Sequence, residues 1–173
     1  MSKIQLSVAV SMGCAVLLSV GAFLSPTLPK VAAEGAQPLR LWLSCSLLAA
    51  LWLLISVGRL ARHRFFAPSD IGGGGLAANS PRAALLQALL QNTLEQTVLA
   101  IVAYGSWIWL GPPNRAGLVV VFAAYFAIGR LLFFIGYARG ASARALGFGL
   151  TFYPSVALLL GGMPTALLVV AGR

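Results

Sequence analysis

Apolar runs alternate along this chain with short breaks that are basic, polar or rich in proline, and the runs predict five membrane-spanning helices. The first extends from Ile4 to Leu24 without a charge, long enough to cross a hydrocarbon core of ~30 Å. It is read as a retained helix, because the apolar region of a cleaved signal peptide usually spans only ~7–15 residues. Val31-Ala32-Ala33 has the small-residue character of a cleavage site but lies well beyond the run. Pro26, Pro29 and Pro38 make Ser25 to Leu39 a loop. The second run, Leu41 to Gly58, gives way to Arg59, Arg62, His63 and Arg64. A polar segment from Phe65 to Pro81 follows and contains Gly72-Gly73-Gly74-Gly75. With no preceding strand and no Lys-Ser/Thr after it, this glycine tract reads as a flexible linker rather than a phosphate loop.

The third run goes from Arg82 to Leu110, with Ser80 as its predicted cap, Pro81 suited to its first turn and Pro112-Pro113 ending it. The fourth covers Ala116 to Ala138 and stops near Gly140. The fifth runs from Arg144 to Ala171, with Pro154 inside it and a kink or fray predicted at Gly161-Gly162-Met163-Pro164. Alternating connections place Lys3, the Arg59–Arg82 loop and the Arg139/Arg144 turn on one side. Lys30, Arg40, Arg115 and Arg173 fall on the other. The first set is richer in arginine and is expected to be cytoplasmic, with the N-terminus inside and the C-terminus outside. Trp42, Trp107 and Trp109 then gather at the outer interface, as an aromatic belt does.

Composition supports this reading. Of 173 residues, 60% are hydrophobic and only 9% charged, and the mean hydropathy is +0.92. Soluble domains are about half apolar and a quarter charged. A disordered chain, a nucleic-acid-binding module and most soluble enzymes are thereby excluded. The net charge of +9 sits at the ends of apolar runs, where it is expected to orient a multi-pass membrane protein (of the cell inner membrane, if the source is bacterial). Cys14 and Cys45 lie inside apolar runs, and His63 is the sole histidine. Neither a disulfide framework nor a metal site is expected, and His63 reads as a surface residue of the loop.

The third helix carries the candidate chemistry. Gln87, Gln91 and Glu95 recur at i, i+4 and i+8 and form one stripe, with Asn92 beside it. Glu95 lies roughly 15–20 Å along the helix from Arg82, inside the bilayer. A charge there costs at least ~2.5 kcal/mol unless it is paired, so it must face protein or a wet cavity. Arg130, the only charge within the fourth run, lies ~12 Å from the same end and is the expected partner. The pair serves either to lock two helices or to line a polar cavity. Arg62, Arg64, Arg139 and Arg144 are expected to converge on the mouth of the bundle, where guanidinium groups suit a small anionic solute.

Two motifs resemble one family. Gln91-Asn92-Thr93-Leu94-Glu95-Gln96 is similar to the Asn-x-x-Glu signature of the MAPEG family, membrane-associated proteins of eicosanoid and glutathione metabolism. The stretch from Gly129-Arg130 to Tyr137-Ala138-Arg139, followed by Arg144, resembles that family's later signature, in the same order and separation. The resemblance covers roughly Leu41 to Val170. It implies an all-α integral membrane protein with a four-helix bundle at residues 40–173, to which residues 1–39 add one N-terminal helix and a loop. It also implies a homotrimer that binds glutathione, a small anionic thiol, between subunits. Asn92 and Glu95 would hold the glutathione backbone and amine, Tyr137 would contact the peptide and Arg130 would support the polar core. Arg144 would be the catalytic residue that stabilises the thiolate, and Arg62 matches a basic residue ending the family's first helix. The chain departs from the pattern at Ala88, where the glutathione enzymes carry an arginine, and at Gln96 and Phe133, where aromatic and tyrosine residues are usual.

Three functions fit these residues. One is a glutathione-dependent transferase or peroxidase acting on a lipophilic second substrate delivered by the lipid. The second is a non-catalytic membrane protein of the same architecture. The third is a small transporter using Glu95 as its proton site, which the placement of that residue in the third helix supports least.

Overall fold

Each apolar run forms one long helix in the computed structural model, which describes residues 2–30, 37–71 and 80–172. The helices are α1 (Lys3–Leu24), α2 (Gln37–Phe66), α3 (Pro81–Leu110), α4 (Leu118–Gly136) and α5 (Ala141–Val170). Single 3₁₀ turns at Pro113–Arg115 and Tyr137–Arg139 precede and follow α4, and no strand occurs among the described residues. The glycine tract Gly72–Gly75 and the Val31-Ala32-Ala33 triplet lie outside the described residues.

Local chemistry sets the helix ends. Ser2 and Gln5 form a reciprocal capping box on α1, which satisfies backbone donors that a helix start leaves orphaned. Ser80 caps α3 by accepting from the Ala83 N–H at 3.1 Å, with Pro81 in the first turn. The chain turns from α4 into α5 through Gly140, whose φ of 101° favours glycine.

Three places differ from the sequence reading. α2 is already helical at Gln37, inside the expected Ser25–Leu39 loop, because proline is tolerated in a first helical turn and Pro38 stands there. α2 continues through the basic cluster to Phe66. Leu60 is buried there and Arg59 lies over the Phe134 ring at 5.2 Å, while positive charge complements the C-terminal end of a helix. α5 runs unbroken past Gly161-Gly162-Met163-Pro164. Gly161 sits against the Trp107 and Phe23 rings, so packing holds the segment that proline and glycine would otherwise loosen.

α4 packs mainly on α5, α2 on α3, and α3 and α1 both on α5. One half of the bundle is an apolar core built on Tyr104, Trp107, Phe122, Phe126 and Leu158. Trp42 and Trp107 close this end by donating their indole N–H groups to the carbonyls of Ile101, at 2.9 Å, and Arg115, at 3.1 Å. Arg115 in turn donates to the Ser25 carbonyl at 2.9 Å and to that of Phe23, tying the end of α1 to the α3–α4 connection. Four segments are long and apolar enough to cross a membrane, namely α1, α2, Pro113–Arg139 and α5. α3 falls short in composition because of its band of polar residues from Gln87 to Thr97.

α4 and α5 meet through glycine, as small residues let membrane helices approach closely. A methyl group added at Gly147 would lie 2.6 Å from the Gly129 carbonyl oxygen, a backbone atom with no freedom to retreat. Gly147→Ala should therefore destabilise the protein by about 1–3 kcal/mol, as overpacking does. Gly58→Ala meets open space and should be neutral or slightly stabilising, because alanine is the better helix former. Thermal unfolding in detergent checks the contrast; equal midpoints for the two variants would refute the close approach.

Candidate functional site

The apolar core gives way to a polar layer at the level of Asn92 on α3, Arg130 on α4 and Thr151 on α5. Arg130 is fully buried. Its Nη1 donates to Asn92 Oδ1 at 3.0 Å and its Nη2 to Thr151 Oγ1 at 2.7 Å. The guanidinium stacks over Phe133 at 4.4 Å and Phe126 at 5.8 Å. The close α4–α5 approach at Gly129 and Gly147 brings Thr151 within reach, since Thr151 Cγ2 also neighbours Gly129.

This arrangement corrects the expected Glu95–Arg130 pair. Arg130 takes neutral acceptors, and Glu95 accepts instead from Gln91 Nε2 at 3.0 Å on an exposed face of its own helix. The reason is helical phase. Asn92 meets Arg130 of α4 and Thr93 is buried, whereas Gln91, Glu95, Val98 and Val102 share the uncovered face of α3. Thr151 was not among the residues singled out in the sequence; the signal available was a buried arginine needing more than one acceptor.

The four arginines do not gather at one mouth: Arg144 and Arg62 line separate clefts, and Arg64 and Arg139 line neither. A cleft of ≈ 300 Å³ is lined by Asn92, Tyr137 and Arg144, with Phe133 and Phe148 as apolar wall and Val8 and Met12 of α1 across from them. Arg144 lies over the Tyr137 ring at 4.5 Å, and Tyr137 meets Phe133 edge to face at 5.1 Å. Three expected site residues thus share one wall, and Arg130 stands directly behind Asn92. Arg62 is elsewhere, in a cleft of ≈ 420 Å³ with Arg59, His63, Phe66 and Arg82 between the end of α2 and the start of α3. Arg64 donates to Gln87 Oε1 at 3.3 Å, and Arg139 is exposed. No group of three or more metal-ligating side chains occurs among the described residues.

His63 is not a simple surface residue. Its Nε2 lies 2.9 Å from Asp70 Oδ2, the same oxygen that accepts the Ser80 hydroxyl at 2.6 Å. A hydrolytic triad places histidine between carboxylate and hydroxyl. Here the carboxylate stands in the middle and Ser80 is occupied as a helix cap, so the three residues clasp the ends of α2 and α3. The Ser80 hydrogen bond, with His63 adding to it, holds the Asp70 carboxyl below the usual carboxylate range. A carboxyl held low contributes stability that is complete above its unfolded value, ~3.9, and lost as pH falls through the lower folded value. Wild type should therefore exceed Asp70→Asn in melting temperature at neutral pH, and the gap should close only on acidification below about pH 4. A constant gap throughout would show that Asp70 acts without its charge.

Comparison with known proteins gives one match. No curated protein and no solved structure matches the chain. The sequence model of the MAPEG family matches residues 41–163, from α2 to near the end of α5. That match spans well over half of the chain and includes Asn92, Arg130, Tyr137 and Arg144, and this integral membrane protein belongs to the MAPEG family.

Proposed function

We propose that the protein binds glutathione in the cleft of Asn92, Tyr137 and Arg144 and uses it as a thiol nucleophile toward a lipophilic second substrate. The observation that carries this reading is Arg144. It faces the cleft with its guanidinium held over the Tyr137 ring, and among the described residues no hydrogen bond or ion pair occupies it. Stacking on a ring leaves the in-plane N–H groups free to donate. A cation so placed lowers a thiol's pKa, and the thiolate is the reactive form. The thiol proton passes to solvent. The sulfur lone pair then forms a C–S bond to an electrophile as its leaving group departs, or attacks the terminal oxygen of a hydroperoxide as the O–O bond breaks, giving the sulfenic acid and an alkoxide that takes a proton from solvent. A second glutathione thiol then condenses with the sulfenic acid to the disulfide and water.

The cleft suits this substrate class. It combines a cation, an amide and a phenol on an apolar wall, and its volume is at the lower end of the ~300–1,000 Å³ range of small-molecule sites. Asn92 would position the peptide while Arg130 fixes the orientation of its amide. Within one chain Arg62 and Glu95 stand apart from this set. Glu95 lies on the uncovered face of α3, where contact with hydrocarbon would cost at least ~2.5 kcal/mol. We therefore read that face as covered by a neighbouring subunit of a homotrimer, which would bring Glu95 to a shared site. In this arrangement residues 40–173 form the family's membrane domain, residues 1–39 are an addition to it, and the Arg59–Arg82 loop is cytoplasmic.

Calorimetric titration of the detergent-solubilised protein with glutathione tests the proposal. Saturable binding that Asn92→Ala weakens supports it. No heat at millimolar-scale glutathione would favour the non-catalytic alternative, in which the polar layer serves assembly alone.

A further inference from the structure

We propose that the cleft between the end of α2 and the start of α3 is a binding site for the phosphate headgroup of an acidic phospholipid. Arg59, Arg62, His63 and Phe66 recur at i, i+3, i+4 and i+7 and so share one face of α2. Arg82 and Leu86 face them from α3 across ≈ 420 Å³. Three guanidinium groups and an imidazole thus line one cleft, and guanidinium is the side chain best shaped to grip phosphate oxygens in pairs.

Among the described residues no carboxylate pairs with these three guanidinium groups; Asp70 pairs with the His63 imidazole alone. The chain contains only three Asp and Glu residues. Asp70 is buried and already accepts from Ser80 and His63. Glu95 is bonded to Gln91 and separated from Arg82 by roughly 20 Å of α3. Glu34 precedes Gln37, from which roughly 30 Å of α2 leads to Arg59. The neutralising anion must come from outside.

The rim identifies its source. Phe66, which lines the cleft, is 74% exposed, and Phe65 beside it is 73% exposed. The two phenylalanines pack edge to face at 5.0 Å beside the arginines. A soluble anion has no use for such a rim. A phospholipid does: its phosphate enters the basic cleft while its acyl chains lie against the phenylalanines, at the depth where an apolar span ends. Basic pockets between membrane helices take acidic headgroups for the same reason. The site is separate from the Arg144 cleft and does not depend on the glutathione reading.

The test uses the full chain in nanodiscs of phosphatidylcholine alone or mixed with phosphatidylglycerol, followed by mild detergent extraction and native mass spectrometry of retained lipid. Phosphatidylglycerol should be retained in preference to phosphatidylcholine. Arg62→Gln and Arg82→Gln should each weaken that retention about fivefold, the scale of one basic residue at a membrane surface. Arg139→Gln, exposed and outside the cleft, should leave it unchanged. Circular dichroism establishes that the variants are folded. If they are not, wild-type selectivity and competition decide the matter alone. Equal retention of the two lipids overturns the proposal. So does displacement of phosphatidylglycerol by an equal concentration of glycerol phosphate or inorganic phosphate, which would mark a soluble-anion site.

Discussion

Arg144→Ala should lower turnover of glutathione with a lipophilic electrophile by about 10²-fold, the usual effect of removing one positioned electrostatic donor. Glutathione affinity should change little. The argument rests on placement. Arg144 reaches the cleft from the first turn of α5 and is held over the Tyr137 ring at 4.5 Å, with its polar edges unclaimed by any described residue. Under the proposed function its charge would act on a thiol sulfur in the cleft. The ultraviolet absorbance of bound thiolate should appear when wild type is mixed with glutathione and vanish with Arg144→Ala. Arg144→Lys keeps the charge without the planar fork and should recover part of the signal. Asn92→Ala should show the opposite pattern, with weaker binding but the thiolate still forming at saturation. Ala88, on the uncovered face of α3, stands where the glutathione enzymes carry an arginine. One charge-assisted contact is worth about 1.5–3 kcal/mol, or one to two decades of affinity, and Ala88→Arg should restore some of it. A thiolate signal of equal size in wild type and Arg144→Ala would remove Arg144 from the mechanism.

The helices were legible in the sequence because a bilayer imposes a length on apolar runs, and polar breaks then fix their order. Ser80 as the cap of α3 and the turn at Gly140 were legible for local reasons of hydrogen bonding and backbone freedom. The grouping of Asn92, Tyr137 and Arg144 was implied by the resemblance to the family's two motifs. Side-chain partners were not legible. Glu95 and Arg130 were matched by depth and charge, yet the angle around the helix decides contact, and Asn92 rather than Glu95 points inward. Depth is a property of one helix, whereas facing depends on how α3, α4 and α5 rotate against one another, and the Gly129–Gly147 approach concerns only α4 and α5. The Asp70 clasp was hidden for a related reason, since it depends on the ends of two helices meeting across a loop.

Asn92→Leu should cost more stability than Arg130→Met, although asparagine is neutral and arginine is charged. Arg130 is fully buried without a carboxylate, and its charge is supported by Asn92 Oδ1, Thr151 Oγ1 and two ring faces. Asn92→Leu leaves Nη1 without an acceptor in a low-dielectric layer where Nε already lacks one. Losing a hydrogen bond to a charged group costs about 1.5–3 kcal/mol, with nothing nearby to replace it. Arg130→Met removes the charge together with its demands. Thr151 keeps its bond to the Phe148 carbonyl at 2.8 Å, and Asn92, at the cleft wall, can turn to water. Replacing buried charged groups with apolar side chains of similar volume is often neutral or stabilising. The double variant Asn92→Leu/Arg130→Met should therefore be more stable than Asn92→Leu alone. Glu95→Ala leaves every partner of Arg130 in place and should not share the penalty. Thermal unfolding of the four variants in one detergent decides the point. An Asn92→Leu midpoint at or above that of Arg130→Met would mean that the buried guanidinium does not depend on Asn92.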